Sequence, residues 1–187
     1  LFGSAQMAFA QLSIGGTNPV CAGKCYTYTV SGGNTNPYTW TITGGTPSAA
    51  TGSTANICWG AAGAANISVA QVGSATASLA VTINPKPTPV IIKPPLPNCN
   101  LAGNNSGSPA GNDSPPDPCI DACAFATHTY YTQYNTGSTY VWSVGRGADA
   151  ITFINPNGNQ INVLWGPVGN SMVKVVETNQ FGCVDST

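Results

Sequence analysis

The sequence has very little charge. Asp, Glu, Lys and Arg together make up 6% of its 187 residues, with a net charge of −1, against roughly 25% charged residues in ordinary globular proteins. A chain with no basic stripe cannot neutralise a run of phosphates, which excludes nucleic-acid binding. Catalytic side chains are scarce as well. His128 is the single histidine, and between Gln11 and Asn84 there is no Asp, Glu or His, Lys24 being the only charged residue. General acid-base chemistry and carboxylate coordination of hard cations need groups that this stretch lacks. A Ser or Thr nucleophile there would have no base to activate it. Long apolar runs and long helical patterns are also missing.

The sequence is rich in turn and strand formers. It holds 22 Gly and 15 Pro, set between short runs of Thr, Val, Ile, Ser and Tyr, which is an all-β pattern. Seven cysteines accompany one histidine, a ratio that points to disulfides and an oxidising compartment rather than to zinc. The short spacings Cys21-x3-Cys25 and Cys119-x3-Cys123 fall in different halves of the chain, so they do not combine into one metal site. No metal and no cofactor is expected.

An internal repeat sets the organisation. Tyr38-Thr39-Trp40-Thr41-Ile42, Ile57-Cys58-Trp59-Gly60 and Asn66-Ile67-Ser68-Val69-Ala70 recur as Tyr140-Val141-Trp142-Ser143-Val144, Val163-Leu164-Trp165-Gly166 and Met172-Val173-Lys174-Val175-Val176. All four tryptophans occupy matching places, and a pattern repeated at fixed offsets marks a duplicated folding unit. Two β-sandwich domains in tandem are expected, at 11–84 and 119–187, joined by a Pro-rich linker at 85–118 that contains an inserted Gly/Asn/Ser loop. Gly15-Gly16 and Gly44-Gly45-Thr46-Pro47 read as turns. By alternation Trp40, Trp59, Trp142 and Trp165 are core residues.

Two places are read in more than one way. Residues 1–10, ending Ala8-Phe9-Ala10, have the form of the end of a signal peptide and equally of a β-strand with Ala5, Met7 and Phe9 on one face. The second domain reads as lacking its last strand. Either the chain belongs to a longer polypeptide, or the open edge takes a strand from another chain, for which residues 1–14 are the natural donor.

In this order, Cys-x3-Cys before a Tyr/Thr strand, Tyr-x-Trp, a hydrophobic-x-Trp-Gly strand and Gly182-Cys183 near the end resemble the PKD-like repeats. These are immunoglobulin-like modules of large surface and gliding adhesins that Bacteroidota export by type IX secretion. The resemblance implies an extracellular or cell-surface location and further copies or repeats as partners. It also implies a bridge from Cys119 or Cys123 to Cys183. The first domain departs from that pattern, and Cys21 or Cys25 is expected to pair with Cys58. Cys99 is placed to tether the inserted loop, and an odd count leaves at least one thiol free or bonded outside the chain.

The acids Asp117, Asp121, Asp149, Glu177 and Asp185 are scattered and form no recognisable catalytic pair or EF-hand loop. Tyr130, Tyr131 and Tyr134 form a candidate sugar-stacking patch, although alternation sets Tyr131 opposite the other two. Asn66-Ile67-Ser68, Asn104-Asn105-Ser106 and Asn112-Asp113-Ser114 are nominal N-glycosylation sequences, making Asn66 and Asn105 candidates. The resemblance instead implies O-glycosylation at Ser186 within Asp185-Ser186-Thr187. The sequence thus reads as a non-enzymatic, non-membrane-spanning adhesive or filament segment. The competing reading is a carbohydrate-binding module of a secreted hydrolase.

Overall fold

The computed structural model describes residues 11–93, 122, 125–145, 148–153, 155–167 and 171–187. Among them there are fourteen strands and no helix. The chain divides into two compact units, one of residues 1–86 with 181–183 and the other of 87–180 with 184–187.

The first unit packs two four-stranded sheets. One has the order β1 (Ser13–Gly16), β3 (Cys25–Ser31), β6 (Thr54–Trp59), β5 (Gly45–Thr51); the other has β2 (Val20–Cys21), β8 (Ala77–Asn84), β7 (Gly63–Gln71), β4 (Tyr38–Thr43). All pairings are antiparallel except β2 on β8. The order places the first, second, fifth and fourth strands in one sheet and the third, sixth and seventh in the other. This is the immunoglobulin-like arrangement, with β2 added as a parallel edge. Strict alternation produces it: Tyr28, Val30, Ala55, Ile57 and Trp59 from one sheet meet Ile67, Val69, Val81 and Ile83 from the other in a single core.

The second unit repeats this plan with β10 (Thr139–Val144), β13 (Val173–Thr178) and β14 (Val184–Ser186) in one sheet and β11 (Ala148–Phe153), β12 (Gln160–Trp165) and β9 (Thr127–Tyr131) in the other. Tyr130, Tyr140, Trp142, Ile161, Val163, Trp165 and Val175 form its core. Ile92 adds a bridge to Tyr131 beside β9.

Several expectations are corrected. The last strand of the second unit is present but short: β14 pairs with β13 through Val176↔Ser186, Glu177↔Asp185 and Thr178↔Val184. The turn at Phe181-Gly182-Cys183 hides it, because only a few residues follow. Residues 12–16 are not available as a donor strand, since Leu12 is buried in the first core and β1 pairs with β3. Gly15 and Gly16 are not a turn but the last two residues of β1. At the second pair the chain does turn, on Gly44 at φ 79° between β4 and β5, but Gly45 already opens β5, which carries Pro47 at a register shift on the sheet edge, where a missing N–H is tolerated. Trp40 is half-buried and only flanks the core, its indole N–H donating to the Gly52 carbonyl at 3.1 Å. It lies on the edge strand β4, where one side of the ring has no neighbouring strand to cover it. Residues 1–10, 94–121 and 123–124, with Cys99, Cys119, Cys123, Asn105, Asp117 and Asp121, lie outside the described residues.

Candidate functional site

Each unit is built on one buried pair of aromatics. In the first, the Trp59 indole N–H donates to the Tyr28 hydroxyl at 3.2 Å, the rings stand edge to face with centroids 5.8 Å apart, and the hydroxyl donates to the Thr17 carbonyl at 2.8 Å. Two glycines make room for the pair. A Cβ on Gly16 would lie 2.2 Å from Tyr28 Cδ1, and one on Gly45 would lie 2.8 Å from Trp59 Cε3. In the second unit Trp165 donates to the Tyr130 hydroxyl at 3.1 Å, with centroids 6.2 Å apart. Burial pushes the Tyr28 and Tyr130 hydroxyls above the usual tyrosine range, the indole bonds pulling the other way.

This pairing breaks up the candidate sugar patch. Tyr130 is 2% exposed and belongs to the core, Tyr131 is half-buried on β9 beside Ile92, and only Tyr134, 44% exposed beyond the strand end, is open to solvent. Tyr130 occupies the place of Tyr28, so its ring is needed inside.

Polar latches hold the loop that precedes the Trp-bearing strand in each unit. Gln71, on β7 opposite Tyr38, is buried. Its Oε1 accepts from the Asn34 N–H at 2.8 Å and from the Ser74 hydroxyl at 3.2 Å, and its Nε2 donates to the Asn34 carbonyl at 3.0 Å and to the Asn36 carbonyl. Glu177, on β13 opposite Tyr140, is its counterpart and is 1% exposed. Its Oε1 accepts from Asn135 Nδ2 at 2.9 Å and from the Ser138 hydroxyl at 2.7 Å. The neighbouring Tyr140 hydroxyl donates to the Gln133 carbonyl at 3.1 Å and accepts from the Asn135 N–H at 2.8 Å. Burial pushes that hydroxyl up, and the Glu177 carboxylate adds to the shift against the hydrogen bonds. Sequence reading missed both latches because one Gln or Glu at a strand end carries no motif.

Two disulfides are present among the described residues. Cys25 is bonded to Cys58, directly opposite it across β3 and β6. Cys183 is bonded to Cys21 and not to Cys119 or Cys123 as the resemblance implies, and residues 181–183 belong with the first unit. In the second unit Thr127 and Leu164 hold the register position of Cys25 and Cys58.

Near Cys58 lies an open cleft of about 370 Å³ lined by Gly23, Gly44, Gly45, Thr46, Cys58, Trp59 and Gly60. Its walls are mostly backbone, without an acid, base or free thiol, so it can hold a group but offers no proton transfer. His128 is buried on β9 opposite Val163. Asn66 is half-buried in the sheet, its Oδ1 accepting from Ser78 at 2.9 Å, whereas Ser186 is exposed on β14. Among the described residues no three of His, Cys, Asp and Glu converge as a metal site, and no helix is long and apolar enough to cross a membrane.

Neither a protein-family model nor a curated sequence matches the chain. Solved structures similar to it include the Yersinia pseudotuberculosis adhesin InvE, with 14% identity and a TM-score of 0.34 over 95% of this chain and 57% of that one. Murine CEACAM1b has 10% identity and a TM-score of 0.34 over 94% of this chain and 96% of the other. The Bacteroides ovatus mixed-linkage glucan utilization protein SGBP-B, solved with a heptasaccharide, has 16% identity and a TM-score of 0.28 over all of this chain and 44% of that one. The chain spans little more than half the length of the adhesin it resembles.

Proposed function

We propose that the chain is a non-enzymatic, extracellular adhesive or structural segment of a bacterial surface protein, built from PKD-like repeats. The observation that carries this reading is the surface of the first unit. The outward rows of its sheets are Thr39, Thr41 and Thr43 on β4, Ser68 and Ala70 on β7, Ser78, Ala80 and Thr82 on β8, and Thr27, Thr29 and Ser31 on β3. These rows expose hydroxyl and methyl groups with no ionisable side chain, a surface suited to close packing against other repeats or against a hydrated substratum rather than to turnover. The cystines fit an oxidising exterior. Gliding-type adhesins exported by Bacteroidota are the source class we favour.

The test is attachment of beads coated with the full chain to abiotic and cell surfaces under flow, run beside a glycan array and sedimentation of the soluble protein. Attachment or self-association without glycan binding supports the adhesive role. Array binding that is lost on Tyr134→Ala, in a protein that neither attaches nor associates, overturns it in favour of a carbohydrate-binding module.

A further inference from the structure

The bond between Cys21 and Cys183 joins residues 162 apart in sequence. Residues 181–183 belong with the first unit, while Gln180 and Val184 on either side of them belong with the second. The chain thus leaves the first unit, builds the second and comes back to be bonded in the first. Covalently, everything from Ala22 to Gly182 is a closed loop. Of the fourteen strands among the described residues, β3 to β13 lie inside that loop, and only β1, β2 and β14 lie on the stretches that lead to it. Both aromatic pairs, Tyr28 with Trp59 and Tyr130 with Trp165, are inside it, as are the Cys25–Cys58 bond and the Gln71 and Glu177 latches.

This connectivity decides where tension goes. A pull applied to the chain before Cys21 and after Cys183 passes from one sulfur to the other and does not stretch the backbone in between. Without the bond the same pull would run through every strand of two small sandwiches. Their hold is non-covalent: native domains have only about 5–15 kcal/mol of net stability, small ones the least, and rupture under load is set by how fast they unfold. With the bond, the pull meets only short pairings, four residues of β1 on β3, two of β2 on β8 and three of β14 on β13. The Cys25–Cys58 bond cannot serve this purpose, since it closes a separation of only 33 residues within the first unit.

We propose that Cys21–Cys183 is a load-bearing clasp, through which this segment transmits tension at nearly fixed length while both units stay out of the load path. Only the source of the tension rests on the reading of the chain as an adhesive or structural segment; the load path follows from connectivity alone. An oxidising exterior keeps such a clasp closed.

The experiment is single-molecule pulling on the oxidised full chain, with a handle linked covalently to each end so that the outcome does not depend on whether the protein adheres. Twenty residues precede Cys21 and four follow Cys183. At about 3.4 Å per residue the wild type should therefore lengthen by no more than about 80 Å, with no later step as the force rises. The double variant Cys21→Ser, Cys183→Ser, which keeps the Cys25–Cys58 bond, should extend by more than about 300 Å as the units open. An extension of that size in the oxidised wild type overturns the proposal, even where the variant fails to fold. So does a variant that extends no further than the wild type, because another bond would then be carrying the load. Digestion without reduction should recover the Cys21 peptide joined to the Cys183 peptide, and Cys183 joined to Cys119 or Cys123 overturns the clasp. Failure of coated beads to attach under flow would remove the adhesive reading and leave these lengths unchanged.

Discussion

At the scale of the residue, the aromatic pair is the most demanding feature of each unit. The Tyr28 hydroxyl accepts from the Trp59 N–H and donates to the Thr17 carbonyl, so Tyr28→Phe leaves a buried donor and an acceptor without partners. A loss of about 1–3 kcal/mol is expected in urea unfolding. The same hydroxyls fix the alkaline behaviour. Burial raises the folded-state values of Tyr28, Tyr130 and Tyr140 above the ordinary value, near about 10. Above that pH the unfolded chain gives up protons that the folded chain keeps, so ν_U is smaller than ν_N and stability falls as pH rises. Their contribution is fully present below about pH 10 and is lost above it. Chemical-denaturant midpoints between about pH 8 and 11.5 should therefore drop at the alkaline end. Tyr28→Phe should flatten that drop, and an unchanged slope would show that the ring is accessible to hydroxide.

At the scale of the element, strands with regular alternation were legible and irregular ones were not. Tyr38–Thr43, Thr139–Val144 and Gln160–Trp165 follow the period of two and read directly from the sequence. β1 and β5 did not, because Gly15-Gly16 and Gly44-Gly45 are turn signals locally, yet Gly16 and Gly45 serve the rings of Tyr28 and Trp59 across the sheet. Their role is set by tertiary contact, which no local pattern carries. The candidate site was obscured for the same reason: Tyr130 looks like part of a tyrosine cluster until Trp165 is seen against it, and Glu177 gains significance only when Asn135 and Ser138 are seen to donate to it. Cys58 was legible as a bridge partner, and the bond to Cys25 fastens β3 to β6 over a separation of 33 residues. Replacing both by Ser should lower the stability of the first unit by about 3–4 kcal/mol in the chain-entropy model. The second unit, with Thr127 and Leu164 at those positions, should keep its unfolding midpoint. A double Ser variant with unaltered stability would mean that the strand pairing alone holds the register.

At the scale of the whole molecule, the scarcity of charge governs how the protein responds to its medium. Five Lys or Arg and six Asp or Glu are spread over 187 residues, and Glu177, the most deeply buried of the described acids, is held by neutral donors, Asn135 and Ser138. Stability must then come from apolar burial in the two cores, the sheet hydrogen bonds and the cystines, none of which is screened by small ions. Surface ion pairs, the usual salt-sensitive contribution, are worth about 0–1 kcal/mol each even where they are plentiful. Raising sodium chloride from about 20 to 150 mM shortens the Debye length from about 20 to 8 Å, which would be felt by a protein that relied on charge. Here the unfolding temperature should move by less than about 2 °C across that range. A larger fall would show that the few charges form a stabilising network, and a larger rise would show that they repel one another in the folded state. A flat response is the behaviour expected where exposed sheet rows carry hydroxyls and methyls rather than ionisable groups.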